Sequence, residues 1–283
     1  MRVGFHVSIY GGVDKSVDRA LGLGCNTFQI FTRNPRGWKV KALSDKEATA
    51  FAKKVNSSDL KPVFAHMPYL SNLASPRGDV YSKSVEALKV DLRRCGKLEI
   101  PFLVTHLGSH LGSGKQAGFE RIARAIDGAF SVENKDVMLL LENTAGTKNS
   151  MGGSFEDIKQ IIDYLEHPKK VGVCFDTSHA FSAGYDLRTE SAANETARKF
   201  DEVIGFEKLK LVHLNDSVGG LGSRIDRHEH IGLGKMRERG FRSILRSKLG
   251  QLPLILETPK DPRRSDIQNL AKVEEIAHSI PDR

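Results

Sequence analysis

The chain has 283 residues, of which 39% are hydrophobic and 28% charged, and it carries a formal net charge of +8. That balance excludes a disordered chain and leaves enough apolar material for one extensive core. No apolar run approaches the roughly 18 residues needed to span a bilayer, and the start MRVGFHVS lacks the long apolar stretch of a secretory signal, so a cytoplasmic protein that does not enter membranes is expected.

Cys25, Cys95 and Cys174 are odd in number, far apart and without CxxC spacing, which argues for ordinary buried thiols rather than a disulfide framework or a thiolate zinc site. The excess of Lys and Arg favours a polyanionic partner, although lysines and arginines on solvated helix faces would produce the same composition.

In chain order, the first apolar, β-branched and aromatic runs are Val3–Ser8 and Thr27–Thr32. Ser44 with Glu47 then fits a capping box that starts a helix ahead of the third run, Pro62–His66. Leu88, Leu92 and Cys95 recur at helical spacing before Phe102–His106, and Phe119, Ile122, Ala123, Ile126 and Phe130 do so before Val137–Glu142. Ser154, followed by Glu156 and Asp157, opens a helix with an apolar stripe of Phe155, Ile158, Ile161, Ile162 and Leu165, which leads to Val171–Asp176. Leu209–Asn215 follows, and after a helix marked by Phe241, Ile244, Leu245 and Leu249 the series ends with Leu254–Glu257.

Most of these runs are continuously apolar rather than alternating, as parallel strands covered on both faces are. Eight strand-then-helix units with no Pro/Gly/Ser-rich linker predict a (β/α)8 TIM barrel forming a single domain over residues 1–283. The glycine-rich segments Gly219–Arg224 and Gly232–Gly234 fit neither a P-loop nor a dinucleotide fingerprint and are read as loops.

The apolar runs repeatedly finish in a side chain that binds metals: His66, His106, Glu142, Asp176, His213 and Glu257. In a barrel all these strand ends lie on one rim, where the βα loops build the active site. Several carboxylates buried together repel one another unless cations compensate, and imidazole with carboxylate suits zinc, iron, manganese or nickel. His179 in DTSH, together with Asp226 and His228 in DRH, sits just beyond strand ends and suggests a separate cluster. A single histidine is more often hydrogen-bonded than a ligand, but nine candidates at repeated strand ends reverse that expectation. His110, His167, His230 and His278 lack such positions and are expected in loops or facing solvent, and His6 is read as supporting or structural.

Through GFHVSIYGG, IFTRNPRGW, AHMPYLSNLASP, THLGSH, LENTAG, CFDTSHAFSAGYD, HLNDS, GSRIDRHEHIG and LETP the chain resembles, nearly end to end, the endonuclease IV family of apurinic/apyrimidinic endonucleases. The resemblance implies a site of three zinc ions, with manganese or iron as alternatives. His66, His106 and Glu142 would hold one ion; Glu142 would bridge to a second completed by Asp176, His213 and Glu257; His179, Asp226 and His228 would bind the third. It further implies hydrolysis of the phosphodiester 5′ to an abasic nucleotide in double-stranded DNA, with Glu142 as the catalytic bridging residue and the protein acting as a monomer.

Arg36 and Trp38 in NPRGW, with Tyr69 and Leu70 in MPYLSNL, match family segments that enter the duplex and hold a flipped-out abasic site, and ordinary rim packing is the alternative for Trp38 and Tyr69. One departure stands out: where resembling sequences read GEG after the DRH segment, this chain has Leu233 between Gly232 and Gly234. The rival readings are a metal-dependent sugar isomerase or epimerase of the same architecture, opposed by the DRH cluster and the basic charge, and a DNA-binding module without activity.

Overall fold

The computed structural model describes residues 1–133 and 136–280, so the expected domain range 1–283 runs past the described residues. Eight parallel strands close a barrel: β1 (Val3–Val7), β2 (Phe28–Phe31), β3 (Val63–His66), β4 (Phe102–Thr105), β5 (Met138–Glu142), β6 (Val171–Asp176), β7 (Leu209–His213) and, after a small hairpin, β10 (Leu254–Leu256), which pairs with both β1 and β7. The eight expected strands are these, each within one or two residues of its expected ends.

Helices α1 (Val13–Gly22), α2 (Asp45–Asn56), α3 (Gly78–Leu98), α4 (Lys115–Phe130), α5 (Phe155–Tyr164), α6 (Thr177–Ala183), α7 (Glu190–Val203), α8 (Arg237–Arg246) and α9 (Asp266–His278) surround the barrel. The capping box at Ser44 is formed, and the Ser154 hydroxyl accepts from the Asp157 N–H, each satisfying a backbone donor that the first helical turn leaves free. Leu249 falls outside α8, in a short 3-10 turn over Lys248–Gln251. The hairpin of β8 (Asp216–Ser217) and β9 (His228–Glu229) was not expected from sequence; strands of two residues carry no periodicity to read.

The core has two layers. Outside the strands, apolar stripes of the helices cover the barrel wall, for example Ile122, Ile126, Ile158, Ile161 and Phe241. Inside, Phe64, Val104, Leu140, Cys174, Leu211 and Ile255 form a separate plug contributed by β3, β4, β5, β6, β7 and β10. All three cysteines are free and buried, as expected, and burial pushes the Cys174 thiol up to about 12. No helix among the described residues is long and apolar enough to cross a membrane.

Candidate metal centre

Each residue of the inner plug stands two positions before a candidate ligand: Phe64 before His66, Val104 before His106, Leu140 before Glu142, Cys174 before Asp176, Leu211 before His213 and Ile255 before Glu257. Side chains two apart on a strand point to the same face, so the step that buries the plug also turns the next side chain into the barrel mouth. The polar rim sits directly on the apolar plug.

The described ligand atoms gather in three groups, each with its atoms within 4.8 Å of one another: His66, His106 and Glu142; Glu142, Asp176, His213 and Glu257; and Asp176, His179 and His228. Glu142 links the first two. Its Oε2 lies 3.0 Å from His66 Nε2 and 3.3 Å from His106 Nε2, whereas its Oε1 lies 3.0 Å from His213 Nδ1. Asp226, on the open loop before β9, places Oδ1 3.0 Å from His179 Nε2. Asp176 therefore belongs to two groups, and Asp226 approaches the third from the solvent side.

The imidazoles are oriented by their second nitrogens. His66 Nδ1 donates to the Met67 carbonyl at 2.6 Å, His179 Nδ1 to the Asn143 carbonyl at 2.9 Å and His228 Nδ1 to the Glu257 carbonyl at 3.2 Å, which leaves each Nε2 with its lone pair turned to the centre. In His213 the roles are exchanged: Nε2 donates to Gln29 Oε1 at 3.0 Å, so Nδ1 faces Glu142 and, at 3.4 Å, Glu257 Oε2.

On a neutral imidazole such a lone pair facing a carboxylate is repulsive, so a proton or a metal cation must lie between them. Among the described residues, the ion-pair partners of Glu142, Asp176 and Glu257 are all histidines, and no lysine or arginine neutralises these carboxylates. His228 Nε2 is buried without a hydrogen-bond partner, 3.6 Å from Asp176 Oδ2. Nitrogen and oxygen donors without thiolate, preset by their outer hydrogen bonds, fit divalent ions of the zinc, manganese or iron kind.

The electrostatics agree with that chemistry. Burial alone would raise the Glu142 carboxyl, but His106, His213 and His66 more than reverse it and hold it well below the usual carboxylate range. Burial opposes the charged form of His179, yet Asp176, Asp226 and Glu142 bring it up to about 10. The mouth is a place where positive charge is strongly favoured.

Sequence reasoning missed the residues that hold the ligands. Gln29 donates to Glu257 Oε1 at 2.8 Å while accepting from His213, and its signal was a lone amide inside the apolar strand FQIF. The Asn215 side chain donates to Asp176 Oδ2 at 2.7 Å and accepts from the Glu257 N–H at 2.8 Å. His6, by contrast, was read from sequence as supporting or structural, and its Nδ1 lies 3.3 Å from Glu257 Oε1.

His230 lies in a loop, one of the two placements expected for it, but not the solvent-facing one. It is fully buried rather than facing solvent, with Nε2 3.0 Å from Asp261 Oδ1 and Nδ1 3.0 Å from the Asn269 amide, because the hairpin carries it under the loop that follows β10. Leu233 is exposed, and its loop is fastened through Asp216, which accepts from the N–H groups of Gly234 and Met236. That anchoring does not involve the side chain at 233.

The four residues matched to DNA contacts lie on the loops after β2 and β3, at the end of the barrel that carries the ligands. Arg36 and Tyr69 are exposed, Leu70 is half-buried, and Trp38 is half-buried against the core.

A closed parallel barrel with clustered metal donors at its C-terminal mouth defines a metalloenzyme-like TIM barrel, and the family model of the xylose isomerase-like TIM barrel matches residues 17–279. Within that class the chain belongs to the endonuclease IV family of apurinic/apyrimidinic endonucleases. It is 56% identical to the probable endonuclease 4 of Methanoculleus marisnigri over 97% of this chain and 98% of that one, and 49% identical to that of Nitrosopumilus maritimus over 98% and 100%. The crystal structure of endonuclease IV from Thermus thermophilus is similar with a TM-score of 0.87 and 36% identity, covering 99% of this chain and 100% of that one. A D-tagatose 3-epimerase-like protein shares the fold alone, at a TM-score of 0.72 and 20% identity over 98% of each chain.

Proposed function

We propose that this chain is a zinc-dependent DNA-repair endonuclease that hydrolyses the phosphodiester 5′ to an abasic site, leaving a 3′-hydroxyl and a 5′-deoxyribose phosphate. The observation that supports it most directly is Glu142, whose two oxygens face two different groups of imidazoles. His66, His106 and Glu142 would hold one ion; Glu142, Asp176, His213 and Glu257 a second; and His179, Asp226 and His228 a third, with Asp176 also within reach of that last group. Zinc suits this donor set, and manganese or iron would use the same atoms.

When bound, such ions bring the pKa of water towards neutrality and stabilise negative charge on the attacking and leaving oxygens of a phosphodiester. The protein's own part is positional. Glu142, fully buried on the apolar plug, stays ionised and is assigned the bridging role and the orientation of the attacking water. Gln29, Asn143 and Asn215 keep His213, Asp176 and Glu257 in one arrangement, so little reorganisation accompanies reaction.

Double-stranded DNA containing abasic sites is the assigned partner, met by a monomer in the cytoplasm. Arg36, Trp38, Tyr69 and Leu70 would contact the distorted duplex, where a nucleotide without a base loses less pairing on extrusion, and the +8 charge would draw the polyanion to the mouth. The test is metal analysis of protein purified without chelator, paired with incubation on an abasic-site duplex and, separately, on a panel of ketoses. Incision at the abasic site without ketose turnover is expected; ketose turnover without incision overturns the reading.

A further inference from the structure

The loop that carries Arg36 and Trp38 is held by α3 through polar side chains. Asp91, fully buried on α3, accepts from Thr32 Oγ1 at 2.6 Å and from Arg33 Nε at 3.1 Å, and Arg33 in turn sends Nη1 to the Gly37 carbonyl at 3.2 Å. Three residues along the helix, Arg94 places Nε and Nη2 on the Thr32 carbonyl at 2.9 and 2.6 Å and Nη1 on the Lys41 carbonyl at 3.0 Å. Three further on, Lys97 donates to the Leu43 carbonyl at 2.7 Å. Positions 91, 94 and 97 lie along one side of the helix, so a single helix face grips the start, the turn and the end of the segment.

Trp38 and Leu43 also pack against the core. Residues 39–43 separate two hollows, one of about 600 Å³ toward Ile9 and Val13 and one of about 340 Å³ toward Val90 and Arg93. Between those hollows the polar anchors fix the backbone of the segment, and among the described hydrogen bonds those of Arg94 join Thr32 to Lys41.

We propose that Arg94 is a positioning residue for abasic-DNA recognition: with Asp91 and Lys97 it fixes the Arg36–Trp38 loop in the orientation that meets the duplex, and so sets the preference for abasic over intact DNA. This rests on the reading that the loop contacts DNA. Arg94 itself points into the protein's backbone and touches neither the candidate ligands nor, on this proposal, the nucleic acid.

Trp38 is the only tryptophan of the chain, so its fluorescence reports on this loop alone. The experiment compares the metal-loaded full-length parent with Arg94→Ala, Arg94→Lys, Arg36→Ala and, as a control from the same helix, Arg93→Ala, whose partner Glu133 lies on the other flank. Incision kinetics and binding to abasic-analogue and intact duplexes are measured with acrylamide quenching of Trp38. Arg94→Ala is expected to raise KM about tenfold with kcat within about twofold, to shrink the abasic-to-intact affinity ratio about tenfold, and to make Trp38 more quenchable.

Arg94→Lys, whose single nitrogen replaces the three guanidinium nitrogens spread between the Thr32 and Lys41 carbonyls, should restore only part of each effect, and Arg93→Ala should match the parent. Should Arg94→Ala fail to fold, Lys97→Ala, which releases the Leu43 carbonyl and the neighbouring Asp45 carboxylate but leaves Thr32 and Lys41 held, is expected to shift selectivity in the same direction by about threefold. Loss of selectivity in Arg36→Ala with none in Arg94→Ala refutes the positioning role alone. Full selectivity in Arg36→Ala refutes the DNA-contact reading, and the proposal with it, even if Trp38 quenching shows the loop released.

Discussion

Asn143 and Asp176 hold each other twice: the Asn143 side chain donates from Nδ2 to the Asp176 carbonyl at 3.0 Å, and the Asp176 N–H donates to Asn143 Oδ1 at 2.7 Å. The carbonyl of the same asparagine accepts from His179 Nδ1. One residue beyond Glu142, this buried amide ties the end of β5 to the end of β6 and orients a candidate ligand of α6. Asn143→Ala should therefore lower stability by about 1–3 kcal/mol and weaken metal retention roughly 10–100-fold. Chemical denaturation and a competition titration with a chelator check both; unchanged metal retention would remove Asn143 from the site.

Glu142→Gln keeps the shape of the side chain but removes the charge that faces His66, His106 and His213. Cleavage of an abasic duplex is expected to fall by about 10³-fold or more while the duplex is still bound, because the arginine and aromatic loops are untouched. Turnover near the parent rate, measured under single-turnover conditions, would refute the bridging role.

The three groups predict a stepwise metal content. Protein purified without chelator should contain about three ions per chain and His228→Ala about two, since His228 Nε2 belongs to one group only. Chelation should lower the melting temperature and re-addition of zinc restore it, because ions that bind only the folded rim stabilise it by mass action. Equal metal content in parent and His228→Ala, by elemental analysis, would contradict the third site.

A different kind of constraint lies at Gly4, on β1. A Cβ there would stand 1.7 Å from the backbone carbonyl oxygen of Thr27 and 2.8 Å from its carbonyl carbon, so no side-chain rotation relieves the clash. Gly4→Ala should cost about 3 kcal/mol or more, or prevent barrel closure, whereas an alanine at Gly22, which meets open space, should be tolerated. Urea denaturation of the two variants distinguishes them.

Much of the site was legible because its rule is local. A parallel strand buried on both faces must be a continuous apolar run, and a polar residue at its end, as His66 ends VFAH or Asp176 ends VGVCFD, is conspicuous without any knowledge of neighbours. His230 was illegible for the opposite reason: nothing nearby in the chain shows that Asp261 and Asn269 will cover it. Gln29 and Asn215 were hidden likewise, one within an apolar strand and one in the loop after β7.

By itself the sequence determined the eight barrel strands, five of the helices between them (α2, α3, α4, α5 and α8) and the six strand ends from which ligand-type side chains emerge, since apolar runs and the two-residue period of a strand act over a few residues. Only the tertiary structure decided that Glu142 faces His66 and His106 with one oxygen and His213 with the other, that Asn215 joins Asp176 to Glu257, and that α3 grips the Arg36–Trp38 loop. These relationships exist because closing the barrel places strands remote in sequence side by side, and the distances between their ends are fixed by that closure rather than by any local pattern.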